Sequence, residues 1–450
     1  MAVTQEFVVA KFGGTSLASA ERFMQAAAII RSDPRRKVIV VSAPGARYTG
    51  DIKITDLLFE WAKDEASAGD PILHQIRERL QTISTGVSFS TDLAQQFEQI
   101  HQHVSKLAKL TTTRRSHMID QFVASRGEWF SAQMLAQMLG YDFIDAAEFI
   151  AFEKRGHYSH EATRKNAARI DLMTRAARGV VIPGYYGAEP DGTIRTFTRG
   201  GSDLTGAITA VLVGAIEYEN WTDVTGVFTS DPRIVQGALP NRVVTFRELR
   251  ELSYSGATVI HADAAKVAFE HHIPVRIRSS FEPGDPGTLV VPSYDTNPPR
   301  RVTGIAGKKG FVAITLERLG LDDACGTLTG MAKVFSDLHI SVNAYPDIDA
   351  LTFTLPESDY VRHDRTIRMQ LEGAFKVDLT VRRDIALLCV VGEGMVDAIG
   401  TTAIIDKALA DAGINVLIQS QSVRQTNVTR GFAADRLEDG IRAVHAAFFH

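Results

Sequence analysis

The sequence predicts an α/β protein, a mainly parallel sheet layered with helices, followed by two smaller α+β units. Three observations carry this. Two short apolar runs, residues 7–12 and 37–41, flank an amphipathic stretch and so read strand, helix, strand, the order that builds a parallel sheet. Residues 281–299 (FEPGDPGTLVVPSYDTNPP) carry five prolines and mark a domain boundary. Beyond that boundary the chain repeats itself at a constant offset of 74 residues.

Residues 7–12 (FVVAKF) are short, apolar and ended by Gly13-Gly14, as a buried strand is. A helix over 20–31 follows, with Ser16 as its expected cap. Residues 37–41 (KVIVV) form the second strand, ended by SAPG. Over 70–140, Leu, Ile and Phe recur at three- and four-residue spacing, so this stretch is mostly helical. Residues 142–144, 180–183 and 215–221 read as further strands, and 246–252, 262–272 and the strand 275–277 continue the pattern.

In the repeat, 311–314 aligns with 385–388, Lys333 with Lys407, Asp337 with Asp411, Ile340 with Ile414, Val342 with Val416, 367–368 with 441–442, and Phe375 with Phe449. Each copy reads strand, helix, strand, strand, helix. One unbroken offset over a whole unit implies two similar folds packed against one another.

Composition narrows the function class. A chain of 450 residues at roughly 150 per domain suggests about three domains. With 45% hydrophobic and 23% charged residues it has ample apolar surface to fold. The 49 basic and 53 acidic residues, net charge −4, supply neither a basic arm nor a basic patch for nucleic acid. No run of about 18 apolar residues suggests a membrane span. The first residues lack the apolar stretch and cleavage site of a secretory leader. Two cysteines, Cys325 and Cys389, are no disulfide framework, and a reducing cytoplasm is expected.

Four motifs carry chemistry. In Lys11-Phe12-Gly13-Gly14-Thr15-Ser16, two glycines let backbone N–H groups approach an anion, and Lys11 precedes the pair, unlike the lysine of a Walker loop. The segment reads equally as a phosphate cradle or as an ordinary turn with a solvated lysine. Thr198-Arg199-Gly200-Gly201-Ser202-Asp203 again leads a helix, expected over 204–213 with Ser202 as cap. It offers a guanidinium for a carboxylate and an aspartate for a lysine or a metal; a capped tight turn is plausible alone but must also account for a second Gly-Gly-led helix start in the same domain. Residues 221–233 (WTDVTGVFTSDPR) follow a strand, where open α/β sheets hold ligands, and suit a nucleotide with Mg²⁺; a polar surface loop ranks slightly ahead. In Ser125-Arg126-Gly127-Glu128, the glutamate reads first as a helix-dipole partner. Glu270, His271 and His272 read as a solvated helix end rather than a metal cluster.

Taken together, KFGGTS, SRGE, TRGGSD and WTDVTGVFTSDPR, with the proline-rich linker and the tandem repeat, resemble the aspartate kinases of the amino-acid kinase family, over essentially the whole chain. The resemblance implies a three-layer amino-acid kinase sandwich over 1–295. Two ferredoxin-like ACT units follow, at 308–380 and 381–450, with 300–307 completing the sheet of the second. It implies ATP-dependent phosphorylation of the β-carboxylate of L-aspartate to 4-phospho-L-aspartate, the entry step to lysine, threonine and methionine synthesis. The cofactors are ATP and Mg²⁺, the metal carried by the nucleotide with no protein ligand assigned. Lys11 would stabilise the transferring phosphoryl group, and Asp203 would position that lysine and the polar groups around the reacting centre. Glu128 would bind the substrate amino group and Arg199 its carboxylate. Thr15, Ser42, Gly200, Gly201 and Ser202 would line the substrate pocket. Gly13, Gly14, Thr222, Asp223, Phe228, Asp231 and Arg233 would contact ATP.

The family further implies a homodimer, or a dimer of dimers, through 300–450 and an amino-acid effector, lysine or threonine, at the ACT units. Three departures leave the effector's identity open: Thr258 where the family usually has lysine, Asn343 where it often has aspartate, and QSQSVRQTNVTRGF in the second unit. An amino-acid kinase for another acidic metabolite and an amino-acid sensor on a kinase scaffold are the rival readings.

Overall fold

Alternation along one strand sets the architecture. In β1 (Val8–Phe12), Ala10 and Phe12 enter a large apolar core, and Lys11 between them points to the opposite face of the sheet. The computed structural model describes residues 6–63, 71–111, 114–154, 156–198, 200–257, 260–321 and 326–449. After β1 come α1 (Ala20–Arg31), β2 (Arg36–Val41), α2 (Ile54–Lys63), α3 (Pro71–Gly86), α4 (Leu93–Ala108), α5 (Arg115–Ala124) and α6 (Arg126–Leu139). Then follow β3 (Asp142–Phe143), α7 (His160–Arg169), α8 (Leu172–Arg178), β4 (Val180–Pro183), the hairpin β5 (Tyr186–Ala188) and β6 (Ile194–Thr196), and α9 (Gly201–Leu212). The stretch closes with β7 (Glu217–Thr222), β8 (Val243–Thr245), α10 (Phe246–Tyr254), α11 (Ala262–Glu270), β9 (Val275–Ser279) and β10 (Thr288–Val291).

The chain forms two compact units that are not simply sequential: residues 228–239 and 247–258 group with the part beyond 294. In the first unit eight strands are ordered β3-β4-β2-β1-β7-β9-β10-β8, parallel except for the β9–β10 pair. Ile39, Val41, Val181 and Trp221 join Ala10 and Phe12 beneath α1–α6, while α9 and α11 pack together and α9 lies against β1. The α1 boundaries match the sequence reading, but the cap does not. Ser19, not Ser16, accepts the Arg22 amide, because Ser16 sits in a short 3₁₀ turn and bonds Ser280 through its hydroxyl at 2.7 Å. Likewise α9 starts at Gly201 with Gly200 as cap, so Ser202 lies inside its first turn, and α6 starts at Arg126.

A buried charge network ties this sheet together. Arg36 forms a two-pronged pair with Glu219 (2.6 and 2.9 Å), and Trp221 donates its indole N–H to the same carboxylate at 2.9 Å. Arg278 reaches Glu219 at 3.5 Å and lies over the Trp221 ring, which stacks in turn on Phe12.

The second unit holds one six-stranded antiparallel sheet. Its elements are β11 (Gly304–Glu317), α12 (Thr327–Asp337), β12 (Asn343–Pro346), β13 (Ala350–Pro356), α13 (Glu357–Phe375), β14 (Asp378–Val391), α14 (Thr401–Asp411), β15 (Ile418–Gln421), β16 (Asn427–Ala433) and α15 (Leu437–Phe449). The order is β12-β13-β11-β14-β16-β15. β11 and β14, 14 residues each and 74 apart, run antiparallel along their whole length. Gly304–Lys308 pair with Leu387–Val391, and Ala313–Glu317 pair with Asp378–Arg382. Each strand carries a left-handed residue at its midpoint, Gly310 and Asp384, again 74 apart. Two apolar cores lie along this sheet, one with Phe335, Phe353 and Ile367, the other with Ile405, Phe432 and Ile441. The ion pairs Lys333–Asp337 and Lys407–Asp411 occupy the same place in the two copies.

Glu219→Gln leaves Arg36 buried without an anion. It is expected to lower unfolding free energy by about 3–5 kcal/mol in a denaturant titration. A loss below about 1 kcal/mol would show that the network contributes no more than a surface pair does.

Candidate active site

The parallel ladder places Lys11 of β1 beside Asn220 of β7. The Lys11 ammonium is 2.6 Å from Asp203 Oδ1 and donates to Asn220 Oδ1 at 3.3 Å, and the residue is 7% exposed. An ammonium has three N–H donors, so two are engaged and one remains for a ligand oxygen. Asp203 stands in the first turn of α9, where the helix dipole favours an anion, and its second oxygen accepts the His261 amide at 3.0 Å. Gly200 makes this start feasible. It holds φ +83°, and a Cβ there would stand 2.5 Å from the His261 ring.

The other glycine pair brings two loops into backbone contact. Gly45 donates to the Gly14 carbonyl at 2.8 Å, and a Cβ on Gly45 would lie 2.5 Å from the Gly14 carbonyl carbon. Gly13 donates to the Trp221 carbonyl at 2.9 Å, and Ser42 to that of Phe12 at 3.0 Å. Thr15, half-buried, lies in the 3₁₀ turn over Gly14–Leu17. Gly201 and Ser202 are buried at the start of α9.

Glu128, in the first turn of α6, is buried, and its Oε2 has no hydrogen-bond partner. Burial pushes its carboxyl up to about 8, against the opposing pull of the Ala43 amide and of the Arg126 and Lys11 charges. The sequence reading of a helix-dipole glutamate misses this: a solvated dipole partner does not need a hydrogen bond, whereas a buried orphan oxygen does.

Thr222 ends β7 and Asp223 follows it, the Thr222 hydroxyl donating to the Asp223 carboxylate at 3.2 Å, with Asp223 exposed. The remaining members of the expected nucleotide set, Phe228, Asp231 and Arg233, belong to the second unit, where Asp231 and Arg233 pair with each other at 2.7 Å. Arg199, Thr258 and Cys325 lie outside the described residues. Among the described residues no three His, Cys, Asp or Glu side chains converge as a metal site. Asn220, Ser280 and the His261 amide join the site unannounced by any motif; of these, the strand register alone could have pointed to Asn220.

Residues 6–279 match the amino acid kinase family, and residues 388–448 match an ACT domain. Aspartokinase 3 of Bacillus subtilis is 31% identical over 98% of both chains. The crystal structure of Clostridium acetobutylicum aspartate kinase, an allosteric enzyme, superposes with a TM-score of 0.88 at 32% identity, covering 98% of this chain and all of that one. Escherichia coli aspartokinase III, at 25% identity, covers 99% of this chain and all of its own. It superposes at 0.81 with aspartate and ADP bound, and at 0.77 with lysine and aspartate bound.

The raised Glu128 carboxyl is protonated below about pH 8, so folding takes up its proton and stability falls as pH climbs from the ordinary carboxylate range through about 8. Glu128→Gln, neutral throughout, is therefore expected to melt higher than the unsubstituted protein at about pH 8.5 and to lose that advantage near pH 5. Equal melting temperatures at both would refute a buried, ionisable Glu128.

Proposed function

Since the chain belongs to the amino acid kinase family and carries an ACT domain, we propose that it transfers a phosphoryl group from ATP to the β-carboxylate of L-aspartate, giving 4-phospho-L-aspartate and ADP. The observation that carries this reading is the buried ammonium of Lys11, held by Asp203 and Asn220 with one donor to spare.

A carboxylate with an ordinary pKa near 3.9 is already ionised at neutral pH, so the nucleophile needs no general base. The reaction needs charge compensation and alignment instead. Lys11 offers its remaining N–H to the transferring group, and Asp203 fixes its direction. Glu128 takes the substrate ammonium on its orphan oxygen, giving up its proton in exchange. Arg199 takes the α-carboxylate, and Thr15, Ser42, Gly200, Gly201 and Ser202 line the pocket. Gly13, Gly14, Thr222, Asp223, Phe228, Asp231 and Arg233 contact the nucleotide. Mg²⁺ fits as a passenger on the phosphates. Asp223 and Thr222 are the hard oxygen donors closest in kind to its needs, and the ion would neutralise phosphate charge.

Regulation belongs to the same reading. Asn343 lines a cavity of about 390 Å³ in the second unit together with Lys308, Glu251, Tyr254, Cys389 and Asn427. A cation and an anion in one cavity suit a zwitterion such as lysine or threonine. We assign the kinase domain to 1–295, the two ACT units to 308–380 and 381–450 with 300–307 completing the second, and a homodimer or dimer of dimers to this region. We place the enzyme in the cytoplasm; no helix among the described residues is long and apolar enough to cross a membrane.

ADP release with Mg·ATP is expected to depend on L-aspartate and to fall when lysine or threonine is added. Turnover with another carboxylate only would replace the substrate. Lys11→Ala is expected to lower kcat about 100- to 1,000-fold, and Arg199→Ala mainly to raise the aspartate KM. Because substrate binding discharges the Glu128 proton, the aspartate KM should rise roughly tenfold from about pH 8 to pH 6.5. A flat profile would remove Glu128 from the substrate site.

A further inference from the structure

Arg79 of α3 lies outside every motif, yet it is buried, with its side chain 7% exposed. Its forked guanidinium spans a loop. Nη2 donates to the Gly45 carbonyl at 2.7 Å, Nη1 donates to the Ile52 carbonyl, and Nη2 stands 3.5 Å from Asp51. Arg47 grips the same Asp51 with two bonds of 2.9 Å. The Arg79 Nε is buried without a partner, so the side chain gives up one donor to keep its two prongs on the two carbonyls.

The clipped loop touches the site at three places. Gly45 holds the Gly14 carbonyl, Ser42 holds that of Phe12, and the Ala43 amide bonds the Glu128 carboxyl. Ala43 is also fixed from behind, since a Cβ on Gly127 would come within 2.5 Å of its own. The loop is thus the shared wall of the glycine turn and the Glu128 pocket. We propose that Arg79 is a positioning residue for phosphoryl transfer, setting the placement of Gly14, Ala43 and thereby Glu128 without touching substrate. This rests on the aspartate kinase reading for its activity test, but not for its structural one.

The test compares Arg79→Lys with Leu80→Ala in the full chain. Lysine keeps a charge opposite Asp51 but has no fork to join two carbonyls. Leu80, fully buried on the same helix, reports mere loosening of α3. Arg79→Lys should lower kcat about 10- to 100-fold and raise the aspartate KM, with the ATP KM within about twofold of wild type. Leu80→Ala should lower the melting temperature and, well below it, leave kcat unchanged. Independently of turnover, Arg79→Lys should speed hydrogen exchange at the Gly45 amide about tenfold relative to the β1 amides, and Leu80→Ala should not. Wild-type kcat and wild-type Gly45 exchange in Arg79→Lys overturn the proposal. Wild-type protein without aspartate-dependent turnover overturns the kinase reading instead, and the exchange result then decides Arg79 alone.

Discussion

A lysine ammonium near the end of a buried strand needs an anion, and the first unit is arranged around that need. The pleat that sends Phe12 into the core sends Lys11 to the opposite face, where Asp203 must meet it. This fixes where α9 begins, why its cap is a left-handed glycine, and why the backbone before α11 donates to the same carboxylate. A largely buried ion pair gains little net stability once desolvation is counted. What it provides is a charge held in one place.

Around that charge the site draws on segments far apart in sequence but close in the sheet. Lys11, the Ser42–Gly45 loop, Asn220 and Thr222 all sit at or just beyond the carboxyl ends of the parallel strands β1, β2 and β7, where an open sheet leaves its crevice. Glu128 enters from the helical layer. Its environment is the reverse of Asp203's: the aspartate has a cation at contact distance, whereas the glutamate has desolvation and an empty oxygen. Two carboxyls of one unit are thereby held in opposite charge environments.

Much of this is legible in the sequence because it depends on local pattern. The span of α1 follows from its apolar spacing, and the repeat from its offset. The two Gly-Gly turns announce backbone crowding, which the structure locates at Gly14 against Gly45 and at Gly200 against His261. The misses depend on partners that sequence does not reveal. Ser16 is as good a cap by type as Ser19, but Ser280 occupies its hydroxyl across more than 260 residues of chain. Ser202 is a better cap by type than Gly200, but the turn needs a positive φ. Arg79 has no motif, because two backbone carbonyls recognise it, and carbonyls carry no sequence signal. Glu219 looks like one more surface carboxylate until two arginines and an indole enclose it.

The long strands β11 and β14 have a consequence of a different kind. Each begins beside one copy of the repeat and, past the left-handed residue at its middle, continues into the other. The duplicated halves have thus exchanged their leading edges, so neither owns a complete set of strands. A gene that arose by doubling could at first have lost either copy. After this exchange it could lose neither, since removing one would strip the survivor of the strand segment that pairs with its own long strand. The two copies are thereby mutually dependent, held by five residue pairs toward each end of the long strands and by Phe311–Ile385 between them.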